Sequence, residues 1–528
     1  MPLNILVSVF QNTMQYLTLS DLAIAMLILF ICSAAIQRLT TNGPMLWPVV
    51  GIVPTVLVNV QNTYDFATDA LIKTGGTFPF RGIWFGKCYG VVTVVPANIE
   101  YILKTRFTNF PKGKYYRERF AELLGDGIFN ADDQTWRDQR RAVTAEMHSS
   151  QYAEYSADTI RSLVHSKLLV LINWLSKTGS CVDLQDLFLR FTFDNICRAA
   201  FGVDPGCLAI GLPDIPFANE FERATELILF RFTVPPFVWK LMRALNIGTE
   251  KQLSAAIQTV HEFAEKTVSD RRDEFKKVNG FSERYDLLSR LMVTAAKFSD
   301  KMLKDLCISF ILAGRDTSSV GLTWFFWLLH RHPDVERCIL DEITNIIKRR
   351  TETNVGNPAN SHLEIVFTAE ELKKMVYLQA AISEALRLYP PVPLDFKEVL
   401  EDDVLPDGTF VKEGARVIYS MYSMARMEGI WGKDCKEFKP ERWLRDGKCI
   451  NESASKYVVF NAGPRLCIGK KFAYMQMKMV AASILLRYHV VVQEKQEVVP
   501  KLTTTLYMRN GLRVNFQRRE NGLICNVN

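Results

Sequence analysis

The chain has 528 residues, 48% of them hydrophobic and 23% charged, which is the balance of a packed globular protein and excludes disorder, collagen and a disulfide scaffold. At a prior of roughly 150 residues per domain the length could hold three or four domains. Its 64 Lys+Arg against 57 Asp+Glu give a net charge of +7, too mild over this length for a nucleic-acid binder.

Before Arg38 the only charged side chain is Asp21, and residues 22–36 (LAIAMLILFICSAAI) carry none. Extended back to Leu17, the run makes roughly 30 Å of helix, the thickness of a bilayer core. No other stretch is long and apolar enough, which excludes a polytopic transporter. Arg38 follows the run and no basic stretch precedes it, so it reads as an uncleaved anchor with the rest of the chain on the cytosolic side. A buried helix of the globular body is the competing reading. Pro44, Pro48, Gly51 and Pro54 then stop the helix and stiffen the connection. The expected organisation is an anchor over 1–38, a proline-rich hinge over 39–56 and one catalytic body over 57–528.

Within the body, 76–95 alternates apolar and small residues between glycines and predicts a short hairpin. From about 97 to 350 the period is helical. A surface loop is expected at 353–362. Residues 391–420 read as short strands with a turn at Pro406-Asp407-Gly408, and the tail from Tyr488 as strands broken at Asn510-Gly511. The fold class is therefore mainly α with small β-sheets.

The longest helical pattern covers 299–332, about 50 Å of helix. It is apolar almost all round and must be central. In its middle stand Ala313-Gly314-Arg315-Asp316-Thr317. Gly, Asp and Thr weaken a helix interior, and a Thr hydroxyl bonds back to the preceding turn, so a local distortion is expected there, of a kind often found at functional sites.

Eleven cysteines are scattered with no CxxC pair, which fits a reducing compartment. Cys467 alone has an unusual context, Phe460-Asn461-Ala462-Gly463-Pro464-Arg465-Leu466-Cys467-Ile468-Gly469, followed by a helical run. The glycines would admit something flat, and a thiol near a helix N-terminus with Arg465 beside it is biased towards the metal-ligating thiolate.

The pattern Phe460-x-x-Gly463-x-Arg465-x-Cys467-x-Gly469 resembles the haem-ligand loop of the cytochrome P-450 superfamily, the haem-thiolate monooxygenases. Four further signatures follow the family order: Trp136-x-x-x-Arg140, the pentad ending at Thr317, Glu384-x-x-Arg387, and Phe438-x-Pro440-Glu441-Arg442. The resemblance implies haem b with Cys467 as axial thiolate and dioxygen as co-substrate. It places Arg465, Trp136 and Arg140 at the haem propionates. Lys397 stands where the family usually has Arg, keeping the charge but losing the fork. Glu384, Arg387 and Arg442 would form a structural triad, and Asp316 with Thr317 a proton relay in which the distortion at Ala313-Gly314 makes room for dioxygen.

No flavin, nicotinamide or ferredoxin fingerprint is present, so electrons must come from a partner. The resemblance implies an NADPH-dependent flavoprotein reductase, docked on Lys470, Lys471, Arg137 and Arg141, and a single-pass protein of the endoplasmic reticulum. The stretches 110–141 and 391–409 are similar to plant fatty-acid omega-hydroxylases, implying terminal hydroxylation of long acyl chains for cutin- or suberin-type polymers. A terminal C–H is the strongest in the chain, so attack there requires a narrow apolar channel. Phe129, Phe310, Ala313, Val392, Leu394 and Leu506 are candidates to line it, and 230–239 (FRFTVPPFVW) is a candidate membrane-dipping lip. Competing readings are a haem-thiolate lyase or isomerase of lipid hydroperoxides, a monooxygenase of another apolar substrate, and a haem sensor without turnover.

Overall fold

The computed structural model describes residues 18–519 except 41, 84, 85, 87, 279–283, 296 and 354–364. The loop expected at 353–362 therefore falls, from 354 onward, outside the described residues.

Helix α1 (Leu19–Thr40) contains the apolar run, and none of it is buried in the body. That answers the reading of a core helix. Asp21 does not interrupt the run, because it sits in the first turn and accepts hydrogen bonds from the Thr18 N–H (2.9 Å) and Oγ1 (2.6 Å). The proline segment folds back on the helix end: Trp47 stacks on Phe30 at 4.9 Å and the Leu46 N–H donates to Gln37 Oε1.

The expected hairpin is β1 (Thr77–Arg81) paired antiparallel with β2 (Tyr89–Thr93). Helices α2 (Gly113–Leu124) and α3 (Asp133–Met147) follow. The pair β3 (Val182–Asp183) interrupts the helical region, a strand too short for periodicity to reveal. Then come α4 (Leu184–Phe201), α5 (Pro216–Thr233), α6 (Pro236–Ala244) and α7 (Gly248–Val278). The 299–332 pattern becomes α8 (Asp300–Ile311), a wide π turn (Leu312–Asp316) and α9 (Thr317–Arg331). Beyond it are α10 (Val376–Leu388) and strands β4 (Leu394–Glu398), β5 (Asp403–Val404), β6 (Phe410–Val411) and β7 (Arg416–Ser420). The chain ends with the small pair β8 (Leu444–Arg445) and β9 (Lys448–Cys449), helix α11 (Lys470–Arg487), and β10 (Tyr488–Val492) with β11 (Arg513–Arg518). The main sheet has the order β1-β2-β7-β4, with β2 parallel to β7; the tail strands form β10-β11-β3.

Two cores flank the π turn. Leu303, Leu306, Ile308 and Ile311 of α8 belong to one, with residues of α4, α5 and α7. Val320, Trp324, Phe325 and Leu329 of α9 belong to the other, with α10 and α11. The turn lies between the two cores, with Leu312 still packed on the first, and its carbonyls are met by hydroxyls. Thr317 Oγ1 donates to Ala313 O at 2.6 Å, and Ser319 Oγ and Thr192 Oγ1 lie 2.8 and 2.7 Å from Arg315 O. Buried carbonyls need such partners. Gly314 also has a packing task. A Cβ there would stand 2.6 Å from Ile196 Cγ1 of α4, so the glycine makes room for a neighbouring helix.

Gly314→Ala is therefore expected to lower stability by about 1–3 kcal/mol through overpacking. In thermal unfolding Gly314→Ala should cost less on an Ile196→Ala background than on the wild type; an equal cost would disprove the contact.

Candidate active site

The Cys467 loop is built around one close approach. Gly463 has φ +61°, and a Cβ on it would come within 1.9 Å of Leu103 O, so only glycine lets the loop settle on the preceding chain. The Cys467 N–H closes the loop onto Phe460 O at 2.8 Å. Gly469 is the N-cap of α11, and its N–H points at the sulfur. Crowding by protein raises the thiol above its usual value, while the Gly469 N–H, Arg140 and Lys470 pull it down. The expected cationic bias thus comes from Arg140 and Lys470. Arg465 instead turns to Asp132 Oδ1 (2.7 Å) and Ala131 O (2.9 Å).

The residues expected at the propionates converge. The Arg465 guanidinium stacks 4.5 Å over the Trp136 ring, and Arg140 Nη2 donates to Leu466 O beside the cysteine. Lys397 on β4 is fully buried and donates to Asp395 Oδ2 at 3.1 Å. Sequence reasoning missed four members, Lys112, Asp132, Asp395 and Tyr419. Lys112 reaches Asp395 Oδ1 at 2.8 Å, Tyr419 donates to Asp395 Oδ2 at 2.7 Å, and Asp132 accepts from the N–H groups of Lys112 and Gly113. Lys112 stood in the quoted 110–141 stretch, but nothing local distinguished it from a surface lysine.

Burial alone would raise the Asp395 carboxyl, yet Lys112 and Lys397 override it and hold it far below the usual range. Lys397 is pushed down to about 7, first by burial, with Asp395 opposing. The cluster thus gathers Lys112, Lys397 and Arg465 around two carboxylates, with Arg140 beside it on Leu466 O, and Arg465 Nε is buried without a partner. Surplus buried positive charge and an orphaned guanidinium N–H fit a group bearing two carboxylates, as haem does.

Glu384, Arg387 and Arg442 come together. Arg387 grips Glu384 with Nε to Oε2 at 2.7 Å and Nη2 to Oε1 at 2.8 Å, and Arg442 Nε lies 3.3 Å from Oε1. Trp443 Nε1 adds a fourth contact at 2.9 Å. Arg387 also holds the carbonyls of Ala425 and Cys435, and Arg442 those of Trp431 and Asp434.

On the helix, Asp316 is fully buried and ion-paired to Arg315 at 2.7 Å, with Glu222 of α5 3.7 Å from the same guanidinium. Burial raises the Asp316 carboxyl above its usual range, while Arg315 and Tyr507 oppose the rise. The acid therefore belongs to an ion-pair network, which its sequence neighbours alone did not reveal.

The channel candidates do not form one wall. Phe129 and Phe310 pack, half-buried, on the α8 core, Ala313 is half-buried, and Val392 packs on a third core under the main sheet. Leu394 is exposed at the start of β4. Leu506 is a correction: it has no accessible surface, because its backbone is pinned to Pro391 O and Trp324 Nε1 and its side chain is core. In 230–239, Trp239 is buried, whereas Phe237 is exposed.

A model of the family described as cytochrome P450 matches residues 42–516. The chain belongs to the cytochrome P450 family. It is 50% identical over 504 residues to cytochrome P450 86B1 of Arabidopsis thaliana, covering 94% of this chain and 90% of that protein. Identity to cytochrome P450 94A2 of Vicia sativa is 40% over 495 residues, 91% and 92% of the two chains. Noroxomaritidine synthase 1 of Narcissus pseudonarcissus is 34% identical over 500 residues, 94% and 96%. Cytochrome P450 enzymes are haem-thiolate monooxygenases that carry haem b on a cysteine thiolate and use dioxygen, with electrons from a redox partner.

Stranding a buried charge costs about 3–5 kcal/mol. Arg387→Ala is accordingly expected to yield protein without stable haem, read from the Soret band and pyridine haemochrome. Normal haem content in that variant would refute the structural role of the triad.

Proposed function

We propose that this cytochrome P450 hydroxylates the terminal carbon of long- or very-long-chain fatty acids, for polymers of the cutin or suberin type. One observation carries the reading. The two stretches similar to plant fatty-acid omega-hydroxylases, 110–141 and 391–409, lie far apart in sequence yet pack together beside the cysteine loop. Tyr116 meets Phe396 at 5.2 Å, Lys112 pairs with Asp395, and the Tyr115 N–H donates to Glu398 Oε2 at 2.9 Å. The shared residues thus belong to one wall of the site.

In this reading Cys467 would supply the thiolate ligand of the haem iron, and Arg465, Arg140, Trp136, Lys397 and Lys112 would hold the propionates. Haem, when bound, supplies the dioxygen chemistry that places one oxygen atom in a C–H bond, and the thiolate favours O–O cleavage. Thr317 Oγ1 and Asp316 manage the protons. The hydroxyl is anchored to Ala313 O, and Arg315 holds the neighbouring carboxylate in place. Retention of this acid–Thr pair speaks against a lyase that dispenses with reductant.

Residues 1–38 anchor the protein in the endoplasmic reticulum membrane, 39–56 form the hinge, and 57–528 face the cytosol as the catalytic domain. The exposed Phe237, Leu241, Leu245 and Ile247 on and just after α6 support an apolar lip against the bilayer. An NADPH-dependent flavoprotein reductase docks on the exposed Lys471, Arg137 and Arg141. Lys470 takes a smaller part, folded 5.3 Å over the Phe460 ring.

The deciding experiment is turnover of acyl chains of graded length with a reductase, locating the hydroxyl by mass spectrometry. Product at the terminal carbon is expected, and in-chain or absent hydroxylation defeats the reading. Separately, Thr317→Ala is expected to keep haem and substrate binding while diverting reducing equivalents to peroxide. An unchanged product yield per NADPH would remove Thr317 from the relay.

A further inference from the structure

Arg119, on α2, has no solvent-accessible surface. Its Nε donates to Arg231 O and its Nη1 to Tyr115 O, both at 2.8 Å, but Nη2 has no partner. No carboxylate among the described residues pairs with it. Glu118 turns outward to Lys114 and Lys240, and Glu122 and Glu250 are both held by Arg231. A guanidinium cannot shed its proton in a protein, so Arg119 is a full buried charge resting on two neutral carbonyls, a costly arrangement unless something anionic completes it.

Its surroundings point to what completes it. The Cζ atoms of Arg119 and Arg416 each lie 3.3 Å from the centroid of the Tyr115 ring. Two groups at that distance cannot share one face, so the phenol is held between two cations from α2 and β7. Tyr115 is pushed up to about 12, by burial first and then by Cys88, so it stays neutral and offers no counter-charge. Beside the phenol, Phe232 lies 5.3 Å from the Arg119 guanidinium, its ring 5.9 Å from that of Tyr115. It touches Phe120 at 5.6 Å and Phe396 at 5.7 Å. Tyr116 continues the wall to Lys112, 4.6 Å from its ring. An unpartnered cation at one end of an aromatic wall, with the cysteine-side cluster at the other, matches an acid carrying a long alkyl chain.

We propose that Arg119, with Arg416 across the Tyr115 ring, receives the substrate carboxylate, so that the enzyme takes a free long-chain acid rather than its ester. This rests on the acyl reading above. The carboxylate accepts from Nη2, and the first methylenes lie along Phe232, Phe120 and Phe396.

The test uses haem-loaded enzyme titrated with hexadecanoic acid and with its methyl ester, read by the spin-state shift of the Soret band. Wild type is expected to bind the acid about tenfold more tightly than the ester, and Arg119→Gln to weaken the acid about tenfold to a hundredfold while leaving the ester unchanged. Arg119→Lys, with the charge but not the fork, should fall between. Equal weakening of acid and ester, or no change for the acid, overturns the proposal. If Arg119→Gln does not load haem, Arg119→Lys and Arg416→Gln are judged by the same acid-to-ester ratio. Failure of the acyl reading looks different: wild type then neither responds to nor hydroxylates either compound, and both claims fall together.

Discussion

The cysteine loop is held, through a chain of contacts, by one buried carboxylate. Glu384 has no solvent contact and is gripped by Arg387, Arg442 and Trp443. Each partner passes the constraint on. Arg387 fixes the chain after β7 by the carbonyls of Ala425 and Cys435, and Arg442 fixes the same stretch by those of Trp431 and Asp434. Trp443 packs edge-on against Tyr457, which donates to Ser383 O back on α10 and leads directly into the cysteine loop. A charge in that position cannot relax towards water, so the loop inherits the rigidity of α10.

The electrostatics beside the loop follow the opposite rule. Three cations, Lys112, Lys397 and Arg465, are drawn together by only two carboxylates, Asp132 and Asp395, and Arg140 of α3 joins them from the cysteine side. Like charges are tolerated there because the elements that bring them are locked elsewhere: β4 by its register with β7, and α3 by its packing. The scaffold bears the cost of concentrating positive charge at one place.

Much of this was legible in the sequence, and the reasons for the gaps are physical. Residues that act through chain neighbours declared themselves. Glu384 and Arg387 share a helix face, Gly463 and Pro464 announce a turn, and Gly314 with Thr317 marks a weakened helix. Residues that act across the fold did not. Lys112 and Asp395 meet over a sequence separation that no pattern encodes, and Tyr507 reaches Asp316 only because the tail folds under the central helix. The channel candidates fared worst, since an apolar side chain carries no signal that separates core from wall. Leu506 turned out to be core for that reason. Glycine was legible as a requirement but not as a purpose: Gly314 serves Ile196, and Gly463 serves Leu103 O.

The back-bond of Thr317 has a consequence for polarity. Its single hydroxyl proton is committed to the Ala313 carbonyl of the widened turn, which leaves only oxygen lone pairs facing outward. A species resting beside it is therefore met by an acceptor and must itself present hydrogen. Water or a protonated oxygen satisfies that demand, while a bare anion is repelled. The same bond that closes the backbone thus sorts visitors by which end they offer.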